Sequence, residues 1–365
     1  MSRISNKKQA KVFVGMSGGV DSSVAALLLK EQGYEVTGVF IKSYNIDGCA
    51  ERDAEDARRV AGHIGIPFYV FDFEKEYREK VVDYMIEGYR AGITPNPDVM
   101  CNREIKFGLF LKRALSMGAD YVATGHYVRL LQKDGAYWLA EAKDKNKDQS
   151  YFLWTLTQKE LSHSIFPLGD LIKPKVRAIA KKAGLSTADK KDSQGVCFLG
   201  MFDVRDFLKR HIKVKKGNVV NVKGEVIGEH DGAELYTIGQ RHGFRLNRHA
   251  HAKGSEETKA HYVVGKAIKT NTVIVAEGSE NPALFRKEVA LMGVNTVLPI
   301  EKDTKVMARV RYRQPLSEAL LVVGGSKTKP TYHLVFKKPQ KFVAEGQSAV
   351  FYKKGGPLAG GGIIV

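Results

Sequence analysis

The sequence predicts an α/β protein with an N-terminal doubly wound parallel sheet, followed by a small central domain and a C-terminal antiparallel β-barrel. Three observations lead there. In the first half, short β-favouring runs alternate with helical stretches of about 11 to 16 residues, the pattern of right-handed βαβ units. Near the start, the chain passes from an apolar strand through a glycine turn into a helix, the place where such sheets hold ligands. From Gly217 onward the texture changes to short β-like runs separated by Gly, Asn and Asp, as in small barrels and sandwiches.

In chain order, Val12, Phe13 and Val14 favour a strand, and Val24 to Leu29 continue as a helix that stops near Gly33. A strand is expected over residues 35–41, a charged helix over 51–64, a strand over 67–71 and a helix over 74–89. A further helix from about residue 105 to 117 leads into a strand over 121–124, which closes on Gly125-His126-Tyr127. The helix near Pro174 has proline in its first turn, Val176, Ile179 and Ala180 on one face, and Gly184 as its stop. Its basic face carries Lys173, Lys175, Arg177, Lys181 and Lys182. The later β runs cover residues 219–222, 225–227, 236–238, 262–264, 273–275, 306–312, 319–323, 332–336 and 348–351. Residues 247–260, rich in charge with Gly and Ser, are expected to form a mobile loop. No internal repeat is found.

At 365 residues the chain calls for two or three domains, set here at 1–205, 206–280 and 281–365. No apolar run approaches the roughly 18 residues of a membrane span, and the basic N-terminus lacks the apolar core of a secretory signal. Three cysteines are too few for a disulfide scaffold and have no structural-zinc spacing, which suits a reducing cytoplasm. The net charge of +18 divides into +5 for residues 1–200 and +13 for 201–365. A basic flank of that size serves solubility or a polyanionic partner such as nucleic acid.

The glycine turn reads as a phosphate cradle. Gly15, Met16, Ser17, Gly18, Gly19, Val20, Asp21 and Ser22 combine backbone N–H groups, serine hydroxyls and the positive end of the next helix. S-G-G-V-D-S is neither a Walker A loop nor a dinucleotide fingerprint, and it has no lysine for a terminal phosphate. It suits a site that grips pyrophosphate while a nucleotide is split between its α and β phosphates. Two cysteine neighbourhoods stand out: Thr94-Pro95-Asn96-Pro97-Asp98-Val99-Met100-Cys101-Asn102 and Asp192-Ser193-Gln194-Gly195-Val196-Cys197-Phe198, both expected as loops. By residue type alone each cysteine is either a buried small hydrophobe or a reactive thiol, and Asp98 either caps a turn after Pro97 or moves protons.

The segments S-G-G-V-D-S, T-P-N-P-D-V-M-C-N-R-E-I-K-F, A-T-G-H-Y, K-D-Q-S-Y-F-L, D-S-Q-G-V-C-F-L-G, G-Q-R-H-G, R-Y-R-Q and G-Q-S-A-V-F-Y occur in this order. Together they resemble the tRNA-specific 2-thiouridylases of the MnmA type, within the PP-loop N-type ATP pyrophosphatases. The likeness runs from about Lys11 to Val365. It implies an adenine nucleotide α-hydrolase-like fold and an ATP-dependent transfer of sulfur to C2 of the wobble uridine of tRNA, with Mg²⁺. It also implies Cys197 as the persulfide carrier, fed by a sulfur-donor protein, Cys101 as its partner thiol in hydrosulfide release or a disulfide, and Asp98 as acid/base.

By the same resemblance, Ile41 and Gly125 join the cradle as nucleotide contacts. Asn96, Pro97 and Asp98 meet the target base, and Lys147, Asp148, Gln149, Arg311 and Tyr312 touch tRNA. Each has a plain alternative: Lys147-Asp148 as a solvated loop, and Arg309, Arg311 and Arg313 as the outer face of a strand with Tyr312 inward. Ile41 and Tyr44 stand where relatives often have methionine and tryptophan, and Gln194 and Val196 where threonine and isoleucine are common. Neither change removes a reactive group. The competing function is a PP-loop ligase for a small molecule, which leaves both cysteines and the basic C-terminal half without a role.

Overall fold

The computed structural model describes residues 10–44, 48–192, 203–247, 259–297, 299–326 and 328–365. Cys197 with its D-S-Q-G-V-C-F neighbours from Ser193 onward, and residues 248–258 of the expected mobile loop, lie outside them.

Strands β1 (Lys11–Gly15), β2 (Glu35–Lys42), β3 (Phe68–Asp72) and β4 (Tyr121–Thr124) are followed by a hairpin of β5 (Val128–Lys133) and β6 (Ala136–Glu141), then by the short β7 (Ser164–Ile165). The main sheet has the order β3-β2-β1-β4-β7 and is parallel throughout. Alternation along β1 separates two cores. Val12 and Val14 face α1 (Val20–Glu31) and α2 (Cys49–Ile64), while Phe13 faces Phe107, Phe110 and Leu111 on the other side. Val12 and Val14 are 0 % exposed, and each such burial stabilises by roughly 1.5–3 kcal/mol.

Beyond β3 the chain runs through α3 (Glu74–Tyr77), a π turn (Arg78–Val82) and α4 (Asp83–Arg90). The next helix differs from expectation. It begins at α5 (Pro97–Met100), passes through a π stretch (Cys101–Phe110) and ends as α6 (Leu111–Ser116). The start signal is local: Asn96 accepts the Val99 N–H at 3.3 Å and Pro97 occupies the first turn, so Asp98 and Cys101 lie on a helix rather than in a loop. After α7 (Gln158–Ser162), the expected helix near Pro174 forms as α8 (Lys173–Lys182), and its Val176 and Ala180 pack into the core on the α1 face.

Helix α9 (Val204–His211) places Phe207 and Leu208 in one core with Cys101, Ile105 and Met85 of the first domain and Val219, Tyr236 and Val275 of the central one. The central sheet comprises β8 (Gly217–Asn221), β9 (Val226–His230), β10 (Phe244–Leu246), β11 (His261–Ala267) and β12 (Thr272–Glu277), in the order β10-β9-β8-β12-β11. It is not wholly antiparallel, because β8 and β12 run parallel. Residues 236–238 follow a 3₁₀ turn as a connector instead of a strand, and the Tyr236 carbonyl is taken by the Lys266 ammonium at 2.6 Å.

The C-terminal barrel is closed and antiparallel: β13 (Phe285–Thr296), β14 (Thr304–Arg309), β15 (Ser317–Ser326), β16 (Lys329–Lys341), β17 (Ser348–Tyr352) and β18 (Leu358–Ile364), joined as β13-β16-β15-β14-β17-β18. Closure leaves no edge strand, which a free sheet would have to protect. The run expected over 306–312 stops at Arg309, and residues 311–313 form a turn in which Arg313 takes a φ of +64°. Arg309 faces inward, since Glu141 and Asp148 of the first domain neutralise it there. Among the described residues, no helix is long and apolar enough to cross a membrane.

Candidate active site

The strand order reverses direction between β1 and β4, and the crevice outside the carboxyl ends of two such strands is where open α/β sheets take ligands. Residues 15–19 turn the chain there. Gly18 has a φ of +71°, and a Cβ on it would run into the Asp53 backbone carbonyl. The Ser17 N–H donates to Ser22 Oγ at 3.1 Å, and Ser23 Oγ donates to the Gly19 carbonyl at 2.8 Å, so the hydroxyls shape the loop around the helix start. Gly19 provides no side-chain cap, and the first N–H groups of α1 have no intrahelical partner. Met16 and Val20 are buried among core side chains, so they offer a ligand only their backbone.

Asp21 is held from two sides. Lys173 Nζ lies 2.7 and 2.8 Å from its two carboxylate oxygens, and the Tyr127 hydroxyl donates to it at 2.7 Å. Burial and the Asp21 charge push the Tyr127 hydroxyl far above its ordinary value, so it stays a donor. Lys173 also reaches Asp192 at 2.8 Å, where Lys147 at 2.6 Å and Arg177 at 2.8 Å converge. Partial burial works against the Asp192 charge, but the hydrogen bonds from Lys147 and Lys173 outweigh it and hold the carboxyl down to about 2.

This ionic cluster is what the sequence reasoning missed. A signal was present: Lys173 starts a helix, where the dipole disfavours a cation, so a buried lysine there requires carboxylate partners.

Gly125 follows β4, and a Cβ on it would come within 2.7 Å of the Ser22 backbone nitrogen and 2.9 Å of the Asp21 carbonyl carbon. Its bareness lets the β4 turn rest on the first turn of α1. His126 is buried, with Nδ1 2.7 Å from Thr124 Oγ1 and its ring 6.0 Å from that of Phe107. Burial, then the Lys106 charge, lowers its pKa well below the usual histidine range, so it packs as a neutral ring. Ile41 lies near the end of β2 beside Phe71.

Thr94, Pro95, Asn96 and Pro97 are all buried, and Asp98 is partly exposed on the first turn of α5. The Asn96 side chain also hydrogen-bonds the Tyr151 hydroxyl. Cys101, 3 % exposed, belongs to the core with Val81, Met85 and Ile105. Its neighbour Asn102 is equally buried, with Nδ2 donating to the Phe152 carbonyl at 3.4 Å and, among the described residues, no hydrogen-bond partner at Oδ1.

The K-D-Q segment is not a solvated loop. Asp148 is 3 % exposed and accepts from Ala142 N–H, Ser150 N–H and Ser150 Oγ, while Arg309 stands 3.4 Å away. Gln149 Oε1 accepts from the Tyr127 N–H at 3.0 Å. From the barrel, the Tyr312 ring packs 4.4 Å from Phe152 and 5.9 Å from Tyr151, and the Arg311 guanidinium lies 5.8 Å from the centre of Phe342. Tyr151 thus links Asn96 to Tyr312 and Arg311, whereas Lys147 is engaged at Asp192, Asp148 at Ser150 and Arg309, and Gln149 at Tyr127. Among the described residues, no group of three or more His, Cys, Asp or Glu side chains is placed to hold a metal ion.

Residues 10–201 match the family described as tRNA methyl transferase HUP domain, residues 205–277 the tRNA methyl transferase PRC-barrel domain, and residues 287–364 the aminomethyltransferase beta-barrel domain. The chain is 46 % identical over 366 residues to the tRNA-specific 2-thiouridylase MnmA of Bacillus licheniformis, covering 98 % of this chain and 95 % of that one. It is 47 % identical over 366 residues to tRNA-specific 2-thiouridylase MnmA 2 of Geobacillus kaustophilus, with the same coverage. A solved 4-thiouridine synthetase–RNA complex with bound ATP superimposes with a TM-score of 0.35 at 18 % identity, covering 56 % of this chain and 50 % of that one. On its near-complete likeness to the curated relatives, the chain belongs to the tRNA-specific 2-thiouridylase (MnmA) family.

Proposed function

We propose that this protein is an ATP-dependent tRNA 2-thiouridylase acting on the wobble uridine. The observation that carries this is the 46 % identity to a curated 2-thiouridylase over 98 % of the chain. The phosphate cradle at the sheet's switch point is the geometry it requires.

ATP is consumed and is therefore a substrate. The cradle from Gly15 to Ser22, with Ile41 and Gly125 beside it, would hold its phosphates and adenine. A magnesium ion would arrive with the phosphates and shield their charge, with Asp21 the carboxylate at hand. Asn96, Pro97 and Asp98 would receive the base, flipped out so that C2 is accessible. The uracil C2 oxygen attacks the α-phosphorus, the bond to pyrophosphate breaks, and C2 now carries AMP as a good leaving group. Asp98 moves the proton.

Sulfur comes from a persulfide on Cys197, loaded by a donor protein. Either its terminal sulfur attacks C2 and expels AMP, after which the Cys101 thiolate attacks Cys197 Sγ and frees the thiouridine, or Cys101 first releases hydrosulfide, which then attacks C2. Both routes end in a Cys101–Cys197 disulfide that a dithiol reductant must reopen, consistent with a reducing cytoplasm. Lys147, Asp148, Gln149, Arg311 and Tyr312, with the basic domains 206–280 and 281–365, would hold the anticodon arm.

Release of AMP and pyrophosphate is the test. It should depend on unmodified tRNA and be absent with the same tRNA already thiolated. Turnover with a small acceptor and without tRNA would favour a ligase instead.

A further inference from the structure

The connection from β4 to β5 carries one residue that bonds both to the phosphate cradle and to the K-D-Q segment. Tyr127 is 2 % exposed, and polar groups buried to that degree are paired within the protein. Its main chain takes Gln149 reciprocally: the Tyr127 N–H donates to Gln149 Oε1 at 3.0 Å, and the Gln149 N–H donates to the Tyr127 carbonyl at 2.9 Å. Its hydroxyl donates to Asp21, in the first turn of α1, at 2.7 Å. The Lys173 ammonium that grips the same carboxylate stands 5.9 Å from the centre of the Tyr127 ring.

A second route joins the same two places, from Lys147 to Asp192 at 2.6 Å, on to Lys173 at 2.8 Å and from there to Asp21 at 2.7 Å. The routes are unequal. The Lys147 and Asp192 side chains are 31 % and 24 % exposed, so water and salt weaken that link, whereas Tyr127 is sealed from solvent. A phenol ring is also rigid and turns about only two torsions, so a change at its hydroxyl is passed to its main chain rather than absorbed.

We propose that Tyr127 is a positioning residue that ties Gln149 to Asp21, so that nucleotide in the cradle and tRNA on the K-D-Q segment favour each other's binding. This rests on the thiouridylase function proposed above, in which Gln149 meets tRNA and Asp21 belongs to the ATP site. Phosphates entering the cradle compete with Asp21 for the Lys173 ammonium, and the carboxylate then relies more on the Tyr127 hydroxyl. The ring, and with it the paired main chain of Gln149, is held in one place before tRNA arrives. By linkage, tRNA on that segment tightens nucleotide binding by the same factor.

The experiment compares wild type with Tyr127→Phe, which removes the hydroxyl and keeps the ring and both main-chain bonds. The nucleotide is α,β-methylene-ATP, which cannot be cleaved between its α and β phosphates. Without tRNA, saturating nucleotide should slow hydrogen exchange of the wild-type Tyr127 and Gln149 amides about tenfold. The phenylalanine variant should bind the nucleotide within about threefold of wild type and lose that slowing; general stabilisation by ligand moves both proteins alike, so the difference isolates the hydroxyl. Unmodified tRNA should tighten nucleotide binding to wild type about tenfold and to the variant less than about twofold. Slowing retained in the variant overturns the proposal, as do wild-type amides that ignore the nucleotide, an arm that needs no variant. Slowing lost in the variant of a protein whose wild type makes no 2-thiouridine leaves the link standing and removes the thiouridylase function. 2-Thiouridine from wild type with slowing retained in the variant does the reverse.

Discussion

Lys173 Nζ stands 2.7 Å from Asp21 and 2.8 Å from Asp192, so one nearly buried ammonium joins the phosphate cradle to the segment that leads in sequence to Cys197. With its side chain 11 % exposed, it is the principal positive charge at the helix start of the cradle. Lys173→Met should raise the ATP KM for pyrophosphate release at least tenfold. It should also cost about 1–3 kcal/mol in urea unfolding, less than a fully buried pair because Asp21 is partly solvated.

Gly18 and Gly19 adjoin but should respond differently. Gly18 combines a φ of +71° with the Asp53 carbonyl in the path of a Cβ, whereas Gly19 has a φ of −98° and meets only Ser17 Oγ at 3.5 Å. Gly18→Ala should lose about 1–3 kcal/mol and most pyrophosphate release. Gly19→Ala should shift stability by no more than about 1 kcal/mol. Denaturant melts of the two variants decide it.

Arg309 secures the barrel to the first domain. Its guanidinium meets Glu141 at 2.5 Å and the buried Asp148 at 3.4 Å, and burial raises the Asp148 pKa despite the hydrogen bonds it accepts. Arg309→Met leaves Asp148 without its cation and should cost about 3–5 kcal/mol. Adding Asp148→Asn should recover part of that loss, a coupling that a double-mutant cycle measures directly.

Lys266 gives a pH signature. Burial pushes its ammonium down to about 8, against an ordinary value of 10.5. Between these values the unfolded chain binds more protons than the folded one, so Lys266 contributes a stability that grows as pH rises from about 8 toward 10.5. In paired unfolding experiments, stability of wild type relative to Lys266→Met should rise across that window and stay level from pH 6 to 7.

The parallel sheet was legible because β1, β2 and β4 are apolar runs set between helices with clear stops, and the cradle because Gly18-Gly19 falls at a strand–helix junction. The helix at Pro97 was not, although Asn96-Pro97 is a start signal, because the two prolines of T-P-N-P read more readily as a stiff loop. Arg309 illustrates a second limit. Alternation along β14 places it on one face, but only the folded chain brings Asp148, distant in sequence, to neutralise it there. The same holds for Gln347, whose partners Thr94 and Pro95 lie at the other end of the chain.

The most direct test of the sulfur relay is nucleoside analysis of unmodified tRNA after incubation with ATP, Mg²⁺, a persulfide donor and either wild type, Cys101→Ser or Cys197→Ser. Wild type should form 2-thiouridine at the wobble position, and both variants should bind tRNA but form none. Full thiolation by Cys197→Ser from the persulfide donor, or no 2-thiouridine from wild type, would contradict the account.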